Sequence, residues 1–292
     1  MWTEADRNAK MLISYAGELP EKLYRYRTVR EANLERLISF EIIEEAVYLA
    51  CLKDLNDPDE GRFLLRLEGD RAEIMQYWNE ALKSTRPELN LAEAEHEAES
   101  LTERVIQSMP GVPEHIVKLV RYVMEHVVRV ACFTTQPLSY SMWANYAKYF
   151  DPNVGPIDHG GICIEYKCDD AWRSGNLHPV EYSDVVPEIN AVARDENELT
   201  KAIYQKSREW RCEEEWRIMS IIQARPPFPN NLTANSKIKL ENGVTGVIFG
   251  MSSPRSLIDA IREKVIVSNP KITFKQVIRD PMTFSRQLRD LD

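Results

Sequence analysis

Between residues 68 and 129 the chain keeps a helical period, with apolar side chains three and four apart in EIMQYWNEALK, LAEAEHEAESLTERVIQSM and EHIVKLVRYVMEHVVR, while both flanks read as short strands. This interruption constrains the fold more than any other feature, because the sheet must be assembled from segments separated by a block of about sixty residues. Pro87, Pro110 and Pro113 divide the block into three helices, with Pro113 placed as a first helical residue. The acidic outer faces of these helices read as a solvated surface, or as a site for a protein partner.

The flanks supply the strands. After an amphipathic opening helix, LYRYR (23–27) alternates apolar and basic residues, and Thr28 with Glu31 forms a capping-box pattern that opens a helix through about Phe40. AVYLACL (46–52) is a second strand, closed by the turn NDPDEG. Beyond the helical block come the strand VRVACFTT (128–135), a helix in SYSMWANYAKYF capped by Ser139 or Ser141, and strands in GICIEYK (161–167) and LHPVEYS (177–183). A helix over 196–210 leads to a strand over 215–222, a loop RPPFPNN, and strands in KIKL and GVTGVIFG. GMSSP then opens a helix with Ser253 as cap and Pro254 first, and KITFKQVI is the last strand before a polar tail. The expected class is α+β: a mixed, mostly antiparallel sheet with flanking helices, one domain over 1–292 carrying a helical insertion at 68–129.

A content of 43% hydrophobic residues in 292 is enough for a sizeable core. The net charge of -9 supplies no global field toward nucleic acid or anionic lipid. No stretch approaches the roughly 18 apolar residues of a membrane span, and the start lacks a secretory pattern, so a soluble cytoplasmic protein is expected. The five cysteines are scattered and suit reduced core thiols; His159, Cys163 and Cys168 lack the paired spacing of a zinc site. No G-x-G-x-x-G, G-x-S-x-G or H-E-x-x-H is present.

Charge is concentrated in a few short motifs. WRCEEEWRIMS (210–220) runs three glutamates into an apolar strand, and the strand period puts Glu213 and Glu215 on one face, with Glu214 pointing away and Trp216 into the core. Such a pair either raises one pKa by like-charge repulsion and acts in acid–base catalysis, or is held by Arg25, Arg27 or Lys206 in an ion-pair network. Arg25 and Arg27 share one face of LYRYR and Tyr24 and Tyr26 the other; two guanidiniums aligned in this way suit a phosphate or pyrophosphate, or else an exposed edge. Asn56, Asp57 and Pro58 form a strong turn signal. Asp57 and Glu60, with Glu213, Glu215 and Lys206, are also the residues from which a Mg²⁺ or Mn²⁺ nuclease site would be built. Trp143 and Tyr146 lie three apart on a helix, a core pattern that would become a stacking surface if Trp143 borders a cleft.

Taken in order, LYRYR, NDPDE, ACF followed by SMWANYA, GICIEY, KSREW, EEEWR and VIFG resemble the DUF2971 family of bacterial proteins over most of 23–250. The family is defined by an unknown function. The insertion and PNVGPIDHG after Phe150 depart from its pattern. An early basic strand, a central aromatic and serine element and a late strand entered through E-x-E also resemble the ADP-ribosyltransferase superfamily in order. That resemblance implies Arg25 or Arg27, with Tyr26, as the dinucleotide-holding element. It implies Ser141, Trp143 or Tyr146 as the clamp, and Glu215 beside Glu213 as the acid that stabilises an oxocarbenium-like state. Asn56, Asp57, Glu60, Lys206 and Arg217 complete the expected cleft. The resulting expectation is ADP-ribosyl transfer to a macromolecular acceptor, or cleavage of NAD as substrate, with a role in defence. The alternatives are a divalent-metal nuclease and a non-catalytic sensor with a protein partner at the insertion.

Overall fold

Alternating apolar residues drive nine segments into one sheet. The computed structural model describes residues 15–107, 112, 114–168, 172, 177–193, 196–221, 237–240 and 243–291. Eight strands follow one another in the order Leu177–Pro179, Glu215–Ile221, Val128–Thr134, Lys22–Arg27, Ile162–Lys167, Val244–Phe249, Thr273–Arg279 and Arg286–Asp290. The ninth, Ala50–Cys51, pairs with Val128–Thr134 through Ala50↔Val130 and Cys51↔Arg129. All neighbours are antiparallel except Val244–Phe249 with Thr273–Arg279, which are joined by the helix Arg255–Ser268 as a parallel crossover demands. The fold is therefore α+β, with a mixed, mostly antiparallel sheet.

Three helices, Arg71–Thr85, Leu91–Gln107 and Glu114–Val127, occupy the helical block. The first two pack on each other through Ile74, Trp78, Leu82, Ala98 and Val105. Asp70 caps the first, accepting from the Glu73 N–H at 2.9 Å while Glu73 accepts from the Asp70 N–H at 2.8 Å. Among the described residues no helix is long and apolar enough to cross a membrane. None of the five cysteines is in a disulfide, and Cys51 and Cys163 are buried.

Several local expectations are corrected. Thr28 does not cap a helix: its hydroxyl donates to the Tyr146 carbonyl at 2.9 Å, and the helix begins at Glu31, with Asn33 accepting from the Arg30 N–H. That helix passes into a π-helix, Leu37–Ile43. The 46–52 strand is broken at Leu49 into Ala46–Tyr48 and Ala50–Cys51, which pair with different partners. The 196–210 helix ends at Tyr204, because Gln205–Ser207 pairs in parallel with Glu181–Ser183. Ser253 does not cap the last helix; its hydroxyl donates to the Gly160 and Gly161 carbonyls, and Pro254 takes the cap position. The tail contains an edge strand, Arg286–Asp290, with Leu288 opposite Val277. The opening helix and RPPFPNN lie outside the described residues, apart from the last few positions before LYRYR, which are not helical.

Two strands part company at the centre of the sheet. Lys22–Arg27 pairs along its whole length with Ile162–Lys167, from Lys22↔Lys167 to Arg27↔Ile162, but meets Val128–Thr134 only at Tyr24↔Thr134. Beyond that point the two diverge, and Ala50–Cys51 takes over the far end of Val128–Thr134. At Gly161 a Cβ would meet the Arg27 carbonyl at 2.5 Å, so only glycine lets this part of the chain close on the end of the arginine strand.

Candidate functional site

The divergence of the two strands opens a cavity of ≈ 340 Å³. Strand alternation puts Tyr24, Tyr26, Cys132, Thr134, Glu215 and Arg217 on one face of the sheet, and Arg25, Arg27 and Phe133 on the other. In an unbroken sheet the arginines and the glutamates would be separated by backbone. In the split both sets reach one space: Arg25, Tyr26, Arg27, Asn56, Glu60, Tyr146, Lys206, Glu213, Glu215 and Arg217 all line it. The cavity thus gathers ten of the thirteen residues expected from sequence.

The other three stand apart. Trp143 is 1% exposed, packs edge-on to Tyr26 at 5.0 Å between ring centroids, and donates its indole N–H to the Pro137 carbonyl at 2.9 Å, so it is core and offers no stacking surface. Ser141 does not line the cavity; its hydroxyl lies 3.1 Å from that of Ser139, the residue that caps the helix Tyr140–Tyr146. Asp57 is buried in its turn, accepting from the Asp59 N–H at 2.9 Å. That turn, which ends in the positive φ of Gly61, brings Glu60 round to the cavity.

The glutamates are held by an ion-pair network. Glu213 ends a 3₁₀ helix, Glu214 takes left-handed backbone at φ 43°, and Glu215 begins the strand, so a kink brings the two acids together where a pleat was expected. Glu214 turns outward and accepts from Thr135 Oγ1 at 2.8 Å and Gln136 Nε2 at 2.7 Å. Arg217 grips Glu215 with Nε to Oε1 at 2.7 Å and Nη2 to Oε2 at 3.0 Å. It grips Glu60 with Nη1 to Oε1 at 2.5 Å and Nη2 to Oε2 at 2.9 Å. Lys206 donates to Glu213 Oε2 at 2.7 Å and Glu215 Oε2 at 3.3 Å, and is covered by the Trp210 ring at 4.5 Å. The cationic partners of the two acids are therefore Lys206 and Arg217, and neither Arg25 nor Arg27 is among them.

These contacts set the charge states. Burial works to raise the Glu215 pKa, but Arg217 and Lys206 outweigh it and bring the carboxyl from 4.5 down to about 2. Like-charge repulsion therefore does not leave Glu215 as a neutral acid. Burial pushes Glu60 up, with Arg217 opposing. Burial also works to lower Lys206, yet Glu215 and Glu213 hold it above its ordinary value. Burial raises the Cys132 thiol and makes it an unreactive wall.

Tyr146 ties the acids to the turn. Its hydroxyl donates to Glu213 Oε1 at 2.6 Å and accepts from Asn56 Nδ2 at 2.6 Å. Burial first, then the bond to Glu213, raises its pKa, so it stays a donor. Tyr146→Phe should cost about 1.5–3 kcal/mol, the range for a hydrogen bond to a charged group, read as a lower urea midpoint at unchanged slope.

Arg25 differs from the other cations. It is 9% exposed, and its Nη2 donates to the Tyr48 carbonyl at 3.1 Å, but among the described residues no carboxylate lies within ion-pair distance and Nη1 has no partner. Burial, then the charge of Arg27, lowers its pKa from the ordinary arginine value. Arg27 is held by Glu41, a buried residue of the π-helix. Glu41 was not expected from sequence; its signal is a lone acid inside the apolar run LISFEII. The Arg25 guanidinium therefore lies buried beside the cavity with part of its hydrogen-bonding capacity unused.

The carboxylates expected to gather a divalent ion do not form a donor set. Among the described residues no three His, Cys, Asp or Glu side chains are grouped to hold a metal, because Glu60, Glu213 and Glu215 are taken up by cations and Asp57 by its turn. On the insertion, Leu91 and Ile106 are exposed. Leu91 and Ile106 stand roughly 22 Å apart along their helix, and Tyr122 on the third helix is exposed as well. Comparison of the chain with known protein families, characterised proteins and solved structures yields no match.

Proposed function

We propose that this chain is a DUF2971-like enzyme with ADP-ribosyltransferase-like chemistry, which cleaves the N-glycosidic bond of NAD or a related nucleotide and passes the ribosyl group to water or to a macromolecular acceptor. The observation that carries the reading is the pairing, across the split sheet, of Arg25, a guanidinium with no carboxylate in ion-pair distance among the described residues, with a carboxylate held ionised, Glu215. The cavity volume falls at the lower end of small-ligand sites, which run to about 300–1,000 Å³, and suits the reacting half of a dinucleotide.

The chemistry follows from charge. Breaking the bond between the ribosyl carbon and the pyridinium nitrogen sends the electron pair to nitrogen, which neutralises the ring, and leaves positive charge on the sugar carbon. Glu215 supplies a fixed negative charge for that state, and Arg217 and Lys206 keep it ionised and immobile. Arg25 and Arg27 hold the pyrophosphate. Glu213 takes the proton released when the acceptor oxygen or nitrogen attacks the sugar carbon, with Tyr146 and Lys206 fixing its direction.

The test is release of free nicotinamide from NAD⁺ by the purified protein, with and without chelator. Release that is insensitive to chelator supports the proposal; no release, together with no ADP-ribose labelling of protein or nucleic acid, ends it. Arg25→Gln should raise KM by about tenfold with a smaller change in kcat, because a phosphate contact made equally in ground and transition states acts on binding.

A further inference from the structure

Beneath the arginine strand lies a buried layer of polar groups that the proposed reaction does not use. The π-helix Leu37–Ile43 presents Glu41, 2% exposed, to Arg27, and Glu41 Oε2 has no partner among the described residues. Tyr166, fully buried, stands opposite Leu23 on the neighbouring strand. It is thus a diagonal neighbour of Arg25 on the same face. Among the described residues its hydroxyl also lacks a partner, as does Arg25 Nη1. Arg25, Arg27, Glu41 and Tyr166 feel one another's charge. A π-turn is rare and costs regular helix geometry, and it recurs at functional sites; here it delivers one carboxylate to a pair of guanidiniums.

Resting on the reading of Arg25 and Arg27 as the phosphate-holding pair, we infer that Glu41 is a specificity-determining residue. By neutralising one of the two guanidiniums it leaves a single net positive charge and selects a dinucleotide, whose phosphates are diesters, over a nucleotide ending in a free phosphate. A pyrophosphate diester carries one negative charge per phosphate, whereas a terminal phosphate monoester carries about −1.5 to −2. The rest of the cavity offers no further positive excess, since Lys206 and Arg217 are already matched by Glu60, Glu213 and Glu215. Against one net positive charge, the two phosphates of a dinucleotide leave about one negative charge uncompensated, whereas a nucleotide ending in a free phosphate leaves more and brings it near three carboxylates.

The probes are NADH, whose uncharged dihydropyridine ring is a poor leaving group, and ATP without magnesium, each titrated calorimetrically at low ionic strength. The wild-type protein should bind NADH more tightly than ATP. Glu41→Gln should tighten ATP binding by about tenfold and NADH binding by less, and should steepen the salt dependence for ATP. A merely structural role for Glu41 predicts the opposite sign, weaker binding of both. If Glu41→Gln does not fold, the double variant Arg27→Gln/Glu41→Gln removes the pair together and should keep the preference for NADH; a preference for ATP in that variant overturns the inference. Unchanged or weaker ATP binding by a folded Glu41→Gln protein overturns it too. If NADH binding remains Arg25-dependent, that result leaves the dinucleotide reading standing, whereas a wild-type protein that binds neither probe brings down both.

Discussion

An Arg217→Met protein is expected to lose about 3–5 kcal/mol of folding stability at pH 7, the cost of stripping the partner from a buried ion pair. Arg217 is fully buried and is the shared counter-ion of Glu60 and Glu215, which are 2% and 5% exposed as side chains. Methionine fills much of the space but leaves two carboxylates without their cation, and Lys206 reaches only Glu215 of the two. The loss should appear as a drop in melting temperature on the order of 10 °C.

The pH dependence tells electrostatics from packing. In the wild-type protein the Glu215 carboxyl is depressed from 4.5 to about 2, so the stabilisation it gives is fully present above 4.5 and fades as the pH falls toward 2. In Arg217→Met the same carboxyl loses the cation that depressed it, and burial then raises it, so acidification relieves the variant. The stability gap between the two proteins, measured by urea unfolding, should therefore shrink between pH 7 and pH 4. A gap constant with pH would mean that packing, not charge, is what Arg217 supplies.

Glu215→Gln should lower the rate of NAD⁺ cleavage by about 10²–10³-fold, the range seen when one preorganised electrostatic group is removed from a site of developing charge. Glutamine keeps the shape and one oxygen for Arg217 but removes the negative charge that the proposed reaction sets against the sugar carbon. Some stability goes with it, because Arg217 keeps only Glu60 as a full counter-ion, so activity is compared at a temperature where the variant is folded by circular dichroism. Glu213→Gln should act differently, slowing transfer to the acceptor more than the loss of nicotinamide. Single-turnover measurement of nicotinamide release for both variants separates the two roles. Equal losses at both positions would argue that the acids act only as one structural unit.

Much of this site was legible because its residues sit in short alternating runs. LYRYR could hardly be anything but a strand with basic and aromatic faces, and Tyr24 and Tyr26 do pack opposite to Leu23 and Arg25. The period of two also contained an unused signal: Glu215 and Arg217 are two apart on a strand and so had to share a face. What the sequence could not convey is long-range. Nothing local marks the point after Tyr24 where two strands separate, although that separation decides that both faces of the sheet open into one cavity. Glu214 at positive φ carries no glycine or asparagine to announce it, so the approach of Glu213 to Glu215 was inferred from the wrong geometry. Lys206 read as helical because its local pattern continues that of the preceding helix, and strand pairing with Glu181–Ser183 overrides it. Trp143 reads as core on its helical spacing, with a cleft wall as the alternative, and burial against Tyr26 places it in the core.

The proposed reaction requires one cavity to hold the reacting half of a dinucleotide, with its pyrophosphate at Arg25 and its sugar carbon facing Glu215. A crystal structure of the protein with NADH bound tests it most directly. Phosphate oxygens should lie within hydrogen-bond distance of the Arg25 guanidinium, and the nicotinamide-bearing ribose carbon on the side of the cavity formed by Glu213 and Glu215. A dinucleotide bound elsewhere on the molecule, or bound here with that carbon turned away from both glutamates, would contradict it.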